Sequence, residues 1–213
     1  MWNFPHRVIG RLKYYKQLIL IKDIQRYIEK KGYEFFSKTM ELNIIGETLV
    51  SELTNRFDDV LHLIYKDTDG YWIHHRFPVT TQPGKYWMEN PLNVDGTAIL
   101  VPGQYKDVYK IDKHRGAYDA MCQRYGPVKV FRDGNRDNVY DMLPETVQSG
   151  LFGINIHRSN PYTESTLIDK WSAGCQVFKK QQDFGLFMDI CFKSQDEFGF
   201  NKFTYTLIDR RAA

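Results

Sequence analysis

Cysteine is scarce in this chain of 213 residues. Cys122, Cys175 and Cys191 are odd in number and widely spaced, and no C-x-x-C pair occurs. That excludes a disulfide framework and the common zinc ribbons. Long apolar runs are absent too. The longest, such as Leu18-Ile19-Leu20-Ile21, fall far short of a bilayer span. No P-loop, G-x-G-x-x-G or G-x-S-x-G motif is present, so the familiar phosphate cradles and serine elbows are missing. Low-complexity tracts and internal repeats are absent. The opening Met1-Trp2-Asn3-Phe4-Pro5-His6-Arg7 has no charged region followed by an apolar core and a small-residue cleavage site. The expectation is a protein made in a cytoplasm without a signal peptide.

What is present fits a folded chain. Hydrophobic residues make up 42%, aromatics 15% and charged residues 26%, which suffices for a real core. The net charge of +3 is modest but uneven. Eight basic residues (Arg7, Arg11, Lys13, Lys16, Lys22, Arg26, Lys30, Lys31) face only Asp23 and Glu29 near the start. Such a segment suits either a solvated helix face or contact with an anionic partner.

Leu18, Ile21, Ile24 and Ile28 recur at spacings of three and four, which predicts a helix from about Arg11 to Lys31 ending near Gly32. From about Leu42 the texture becomes short apolar runs separated by Gly, Pro, Asn and Asp. Val60 to Tyr65 and Tyr71 to Val79 flank Asp67-Thr68-Asp69-Gly70, a hairpin pattern. Further strands are expected at 85–88, 97–101, 108–111, 128–131 and 153–157. Short helices are expected at 118–125 and 182–192. The fold class is therefore β-rich α+β, with a basic helical arm over 1–40 and a main domain over 41–213.

Cys122 and Cys191 sit in apolar surroundings and read as core residues. Cys175 differs, because Ser172, Ala173 and Gly174 before it are small and let a ligand approach the backbone. A nucleophilic thiol needs such access, a base to take its proton, and amides to hold an oxyanion. His157, at the end of an apolar run, is the candidate base, expected within hydrogen-bonding reach of the thiol. The Gly174 and Cys175 amides are the candidate oxyanion donors, and Ser172 is a supporting hydrogen-bonder. A zinc site drawn from His75, His114 and His157 lacks supporting spacing. No metal and no organic cofactor is expected.

His157, then the Ser172-Ala173-Gly174-Cys175 segment, resembles the catalytic signature of the L,D-transpeptidase (YkuD-like) domain. The stretch from Phe77 to Trp87 is similar to the family's upstream strand element. The resemblance covers roughly residues 58–195. It departs from the family pattern at Arg158, Ala173 and Gln176. It implies an L,D-transpeptidase-like mixed β-sheet or β-sandwich core. It also implies a cysteine nucleophile acting on amide bonds of peptidoglycan stem peptides. Arg158, Trp171, Ala173 and Gln176 would then line the substrate. The segment Lys170 to Phe178 also resembles bacteriophage and prophage variants, which implies action at the bacterial cell wall or carriage in a phage particle among other virion proteins. The alternative expectation is a non-catalytic virion or wall-binding protein that keeps the fold.

Overall fold

The computed structural model describes residues 4–49 and 54–209, with side chains from Lys13 onward. Arg7 and Arg11 of the basic segment thus have side chains outside the described residues. In chain order the elements are α1 (Phe4–Lys30), β1 (Asn43–Thr48), β2 (Asp59–Lys66), β3 (Trp72–Thr80), α2 (Lys85–Glu89), β4 (Thr97–Leu100), β5 (Gly103–His114) and β6 (Tyr118–Gln123). Then follow β7 (Val128–Asp133), a 3-10 turn (Pro144–Thr146), β8 (Gln148–Gly150), β9 (Ile156–Arg158), β10 (Gln176–Phe178), α3 (Gln181–Phe198) and β11 (Phe203–Asp209). The β-rich α+β class is what forms.

Eight strands close a barrel in the order β1-β11-β5-β6-β9-β10-β3-β2, and β4, β7 and β8 form a separate sheet. The barrel is mixed. β1 and β11 are parallel, as are β9 and β10, and the other barrel pairs are antiparallel. A closed barrel thus takes the place of a two-sheet sandwich. Closure removes the unpaired edges that an open sheet would expose.

Alternation along the strands separates inside from outside. Ile44, Leu61, Leu63, Tyr205 and Leu207 belong to the main core. Their neighbours Ile45, Ile64 and Ile208 point outward and meet Ile21, Ile24 and Ile28 of α1 in a second apolar cluster. The basic helix therefore packs on the barrel as well as presenting a charged face. Lys13, Lys16, Lys22, Arg26, Lys30 and Lys31 are exposed on that face. The helix stops at Gly32, whose φ of +78° suits glycine. Helix α3 joins the main core through Phe184, Phe187, Met188 and Cys191.

Two expectations are corrected. The segment 118–125 is not a helix: Tyr118–Gln123 form strand β6. Arg115 and Gly116 both take positive φ, and His114 O accepts the Ala117 N–H, so a tight hairpin turn ties β6 to β5. Ala120, Met121 and Cys122 are all fully buried, so no alternation marked the strand. Residues 85–88 form helix α2, not a strand. Gly84 starts it, pressed so closely on Asp169 that a Cβ there would lie 2.1 Å from Asp169 O. The strand expected over 153–157 is shorter and later, starting at Ile156.

Candidate functional site

Strands β9 and β10 run side by side, with Val177 opposite His157 and Gln176 opposite Ile156. Ile156 and Phe178 point into the main core. His157 therefore points outward, as does Val177, which packs in a small outer cluster bordered by Cys175. Cys175, in the loop just before β10, thus borders the outer face that carries Val177, opposite His157 on β9. Cys175 is half-buried as a residue and His157 is buried.

The loop before β10 is built to hold the cysteine. Ser172 Oγ donates to Cys175 O at 2.7 Å and accepts the Gly174 N–H at 3.2 Å. Gly174 has φ +118°, and a Cβ there would lie 2.5 Å from Ala98 O, so only glycine fits. The Ser172 carbonyl accepts the Gly84 N–H at 2.8 Å, and Val177 pairs with Thr80 at the end of β3. The Phe77–Trp87 stretch thus meets the Ser172–Cys175 segment in space. The other approach, to β9, is stitched by Gln123. Its Oε1 accepts the N–H groups of Gly153 and Ile154, and its own N–H donates to Asn155 Oδ1.

His157 Nδ1 donates to the carbonyl of Arg158 at 2.8 Å. That bond fixes the neutral tautomer and leaves Nε2 with its lone pair. The ring stacks on His114 with centroids 4.2 Å apart, and Asn155 Nδ2 donates to His114 Nδ1 at 3.1 Å. Burial first, and the neighbouring His114 second, push the His157 pKa down to about 3. Burial likewise lowers that of His114 to about 4. Both rings are neutral at ordinary pH.

No hydrogen bond joins Cys175 Sγ to His157 among the described residues. The thiol donates to Gly153 O at 3.4 Å and accepts the Asn155 N–H at 3.5 Å. Its pKa is raised by burial, against smaller opposing effects of the Asn155 N–H and Arg115. The resting pair is thus a protonated thiol beside a neutral imidazole, not a thiolate–imidazolium pair.

The remaining expected residues separate. Gln176 does not line a rim. It is fully buried, points into the barrel and accepts the Tyr205 hydroxyl at 2.7 Å, because alternation turns it away from Cys175. The Gly174 N–H is taken by Ser172, so of the two expected oxyanion amides only that of Cys175 lacks an acceptor among the described residues. Arg158 lies over the Tyr118 ring, 4.0 Å from its centroid. Trp171 is partly exposed at the loop, and Ala173 lines a pocket of about 230 Å³. His75 stacks on Tyr65 and Phe77, while His114 stacks on His157. Among the described residues no three His, Cys, Asp or Glu side chains converge as a metal site would require.

His114, Asn155 and Tyr118 join this site unannounced by the sequence. Asn155 lies two residues before His157, whereas His114 and Tyr118 stand alone in their segments and reach the site only through the β5–β6 turn and the β6–β9 pairing. No helix is long and apolar enough to cross a membrane among the described residues. No family model matches the chain, and no curated protein or solved structure is significantly similar to it.

Proposed function

We propose that the protein is a cysteine-nucleophile enzyme acting on stem-peptide amide bonds of peptidoglycan, by hydrolysis or by L,D-transpeptidation. The observation that carries this reading is the Cys175–His157 face. Half-buried Cys175 sits on a hydrogen-bonded loop before β10, beside β9, whose His157 has Nδ1 pinned and makes no hydrogen bond at Nε2 among the described residues. Resemblance of the flanking segments to the L,D-transpeptidase domain supplies the substrate class.

In this mechanism substrate entry turns the thiol from Gly153 O toward His157. His157 Nε2 takes the Sγ proton as sulfur bonds to the scissile carbonyl carbon. The Cys175 N–H helps hold the oxyanion. The C–N bond then breaks, and His157 returns the proton to the leaving amine. The thioester passes its acyl group to water or to a second amine, with His157 again moving the proton. The reaction requires no metal. A phage-borne enzyme acting on the host cell wall suits the Lys170–Phe178 resemblance.

A second reading is a non-catalytic virion or wall-binding protein. It is favoured by the thiol's bonds to Gly153 and Asn155, which satisfy it without a base. Digestion of purified peptidoglycan with wild type and Cys175→Ala, followed by mass analysis of the released muropeptides, separates the two. New products from the wild type alone support catalysis. Equal products from both proteins exclude Cys175 as nucleophile, and none from either supports the second reading.

A further inference from the structure

Ala173, two residues before the cysteine, lines a pocket. Its walls are mixed: Leu92, Ala98, Phe152 and Ile154 are apolar, and Asn93 and Thr97 are polar. One cation lines it, Arg132 of β7. Ala98 and Ile154 are the same residues that crowd Gly174, so the pocket abuts the cysteine loop.

Arg132 is only 8% exposed, and it takes part in none of the ion pairs among the described residues. Neutral groups hold it instead. Nε donates to Gln148 Oε1 at 2.8 Å and Nη1 to Gly96 O at 3.3 Å. The guanidinium carbon lies 4.7 Å from the Phe152 ring centroid. Nη2 has no acceptor among the described residues. Gln148 in turn donates to Asp95, so the nearby carboxylate is engaged by an amide rather than by the arginine.

A buried cation without a counter-ion is costly to keep. A positioned one lining a pocket is a common arrangement for seizing an anion in a planar, two-point grip. The volume of about 230 Å³ is below that of sites for drug-sized ligands and suits one amino-acid unit. We propose that this pocket is a carboxylate subsite, in which Arg132 grips the free carboxylate of an aliphatic amino-acid unit next to the bond that Cys175 attacks. The placement beside the scissile bond rests on the peptidoglycan reading above, while the carboxylate grip does not.

Binding to Cys175→Ala, which cannot turn over, tests it by calorimetry. The probes are a synthetic stem tetrapeptide with free carboxylates and the same peptide with them amidated. The free acid binds about 10- to 100-fold more tightly than the amide, as expected for a lost charge-assisted grip. Adding Arg132→Gln erases that preference, and Arg132→Lys keeps part of it. Equal affinity for the two peptides, or no binding of the free acid, overturns the proposal. Because the two-peptide comparison is made with Arg132 intact, it does not depend on how the variants fold. Failure of the muropeptide assay with a retained free-acid preference would remove the catalytic reading and leave the subsite standing.

Discussion

The two outer faces of the barrel are built in opposite ways. Under α1, Ile45 of β1, Ile64 of β2 and Ile208 of β11 face outward and meet three helix isoleucines, while Glu47 and His62 on the same strands join in a buried hydrogen bond of 2.7 Å. At β9 and β10 the outward residues are His157 and Val177 beside Asn155 and Cys175, and each strand is only three residues long. The patch under α1 is held by apolar contact between regular elements, with the His62–Glu47 and His62–His74 hydrogen bonds running between the strands beside it. The second is held by side chains bonding to loop backbone, chiefly Gln123 and Ser172. Apolar packing tolerates small shifts in register. Hydrogen-bonded loops fix a thiol or an imidazole in place without filling the space that a substrate needs.

That contrast should break cleanly under mutation. Cys175→Ala is expected to lower the rate of peptidoglycan cleavage by about 1,000-fold or more, as for other lost nucleophiles, with little change in melting temperature. On the sealed face the order reverses. Ile24 is fully buried against the barrel, and Ile24→Ala should cost about 2–5 kcal/mol in urea unfolding while the folded fraction keeps its activity. A variant that lost activity without losing stability would mean that α1 reaches the site.

Acid should act on both outer faces. The folded pKa values of His157, His114 and, beside Ile64 under α1, His74, about 3, about 4 and about 3, lie below the ordinary value of 6.5, chiefly through burial. Their contribution to stability is full above pH 6.5 and is lost as pH falls toward those values, at about 1.4 kcal/mol per unit of depression. Asp59 opposes this. Its carboxyl is raised by burial to about 6, so it stabilises the fold as pH falls from about 6 toward 3.8. The histidines outweigh it, and melting temperatures should fall between pH 6.5 and 4. A flat profile there would show that the imidazoles are not buried as neutral groups.

Gly174→Ala is a smaller test of the β9–β10 face. The strained φ and the clash with Ala98 O should cost about 1–3 kcal/mol. Activity should fall further than stability, because the loop carries the thiol. Smallest of all, Lys13→Glu with Lys16→Glu should shift stability by no more than about 0.5 kcal/mol, since both side chains are exposed. Their effect is reserved for binding to an anionic partner, read as retention on a polyanion column.

The same contrast explains what the sequence made legible. The α1 stripe and the β2–β3 hairpin were readable because long regular elements repeat their signal, and Asp67-Thr68-Asp69-Gly70 announced the turn. The helix near 182–192 was readable for the same reason and extends over Gln181–Phe198. Strand β6 was misread because burial on both sides erased its alternation. Within the site, the small residues around Cys175 marked the loop. The His114–His157 stack, the inward Gln176 and the lone Arg132 were not legible, because each depends on which strands meet, and no local spacing records that.

Cys175 and Gln176 are adjacent in the chain but report on opposite worlds. One meets solvent, and the other is clasped by Tyr205 inside the barrel, where Gly46 leaves room for the tyrosine ring. The thiol therefore has a gauge behind it. A change that loosens the Tyr205 clasp should alter the rate at which an alkylating reagent finds Cys175, although nothing on the outer surface has been touched.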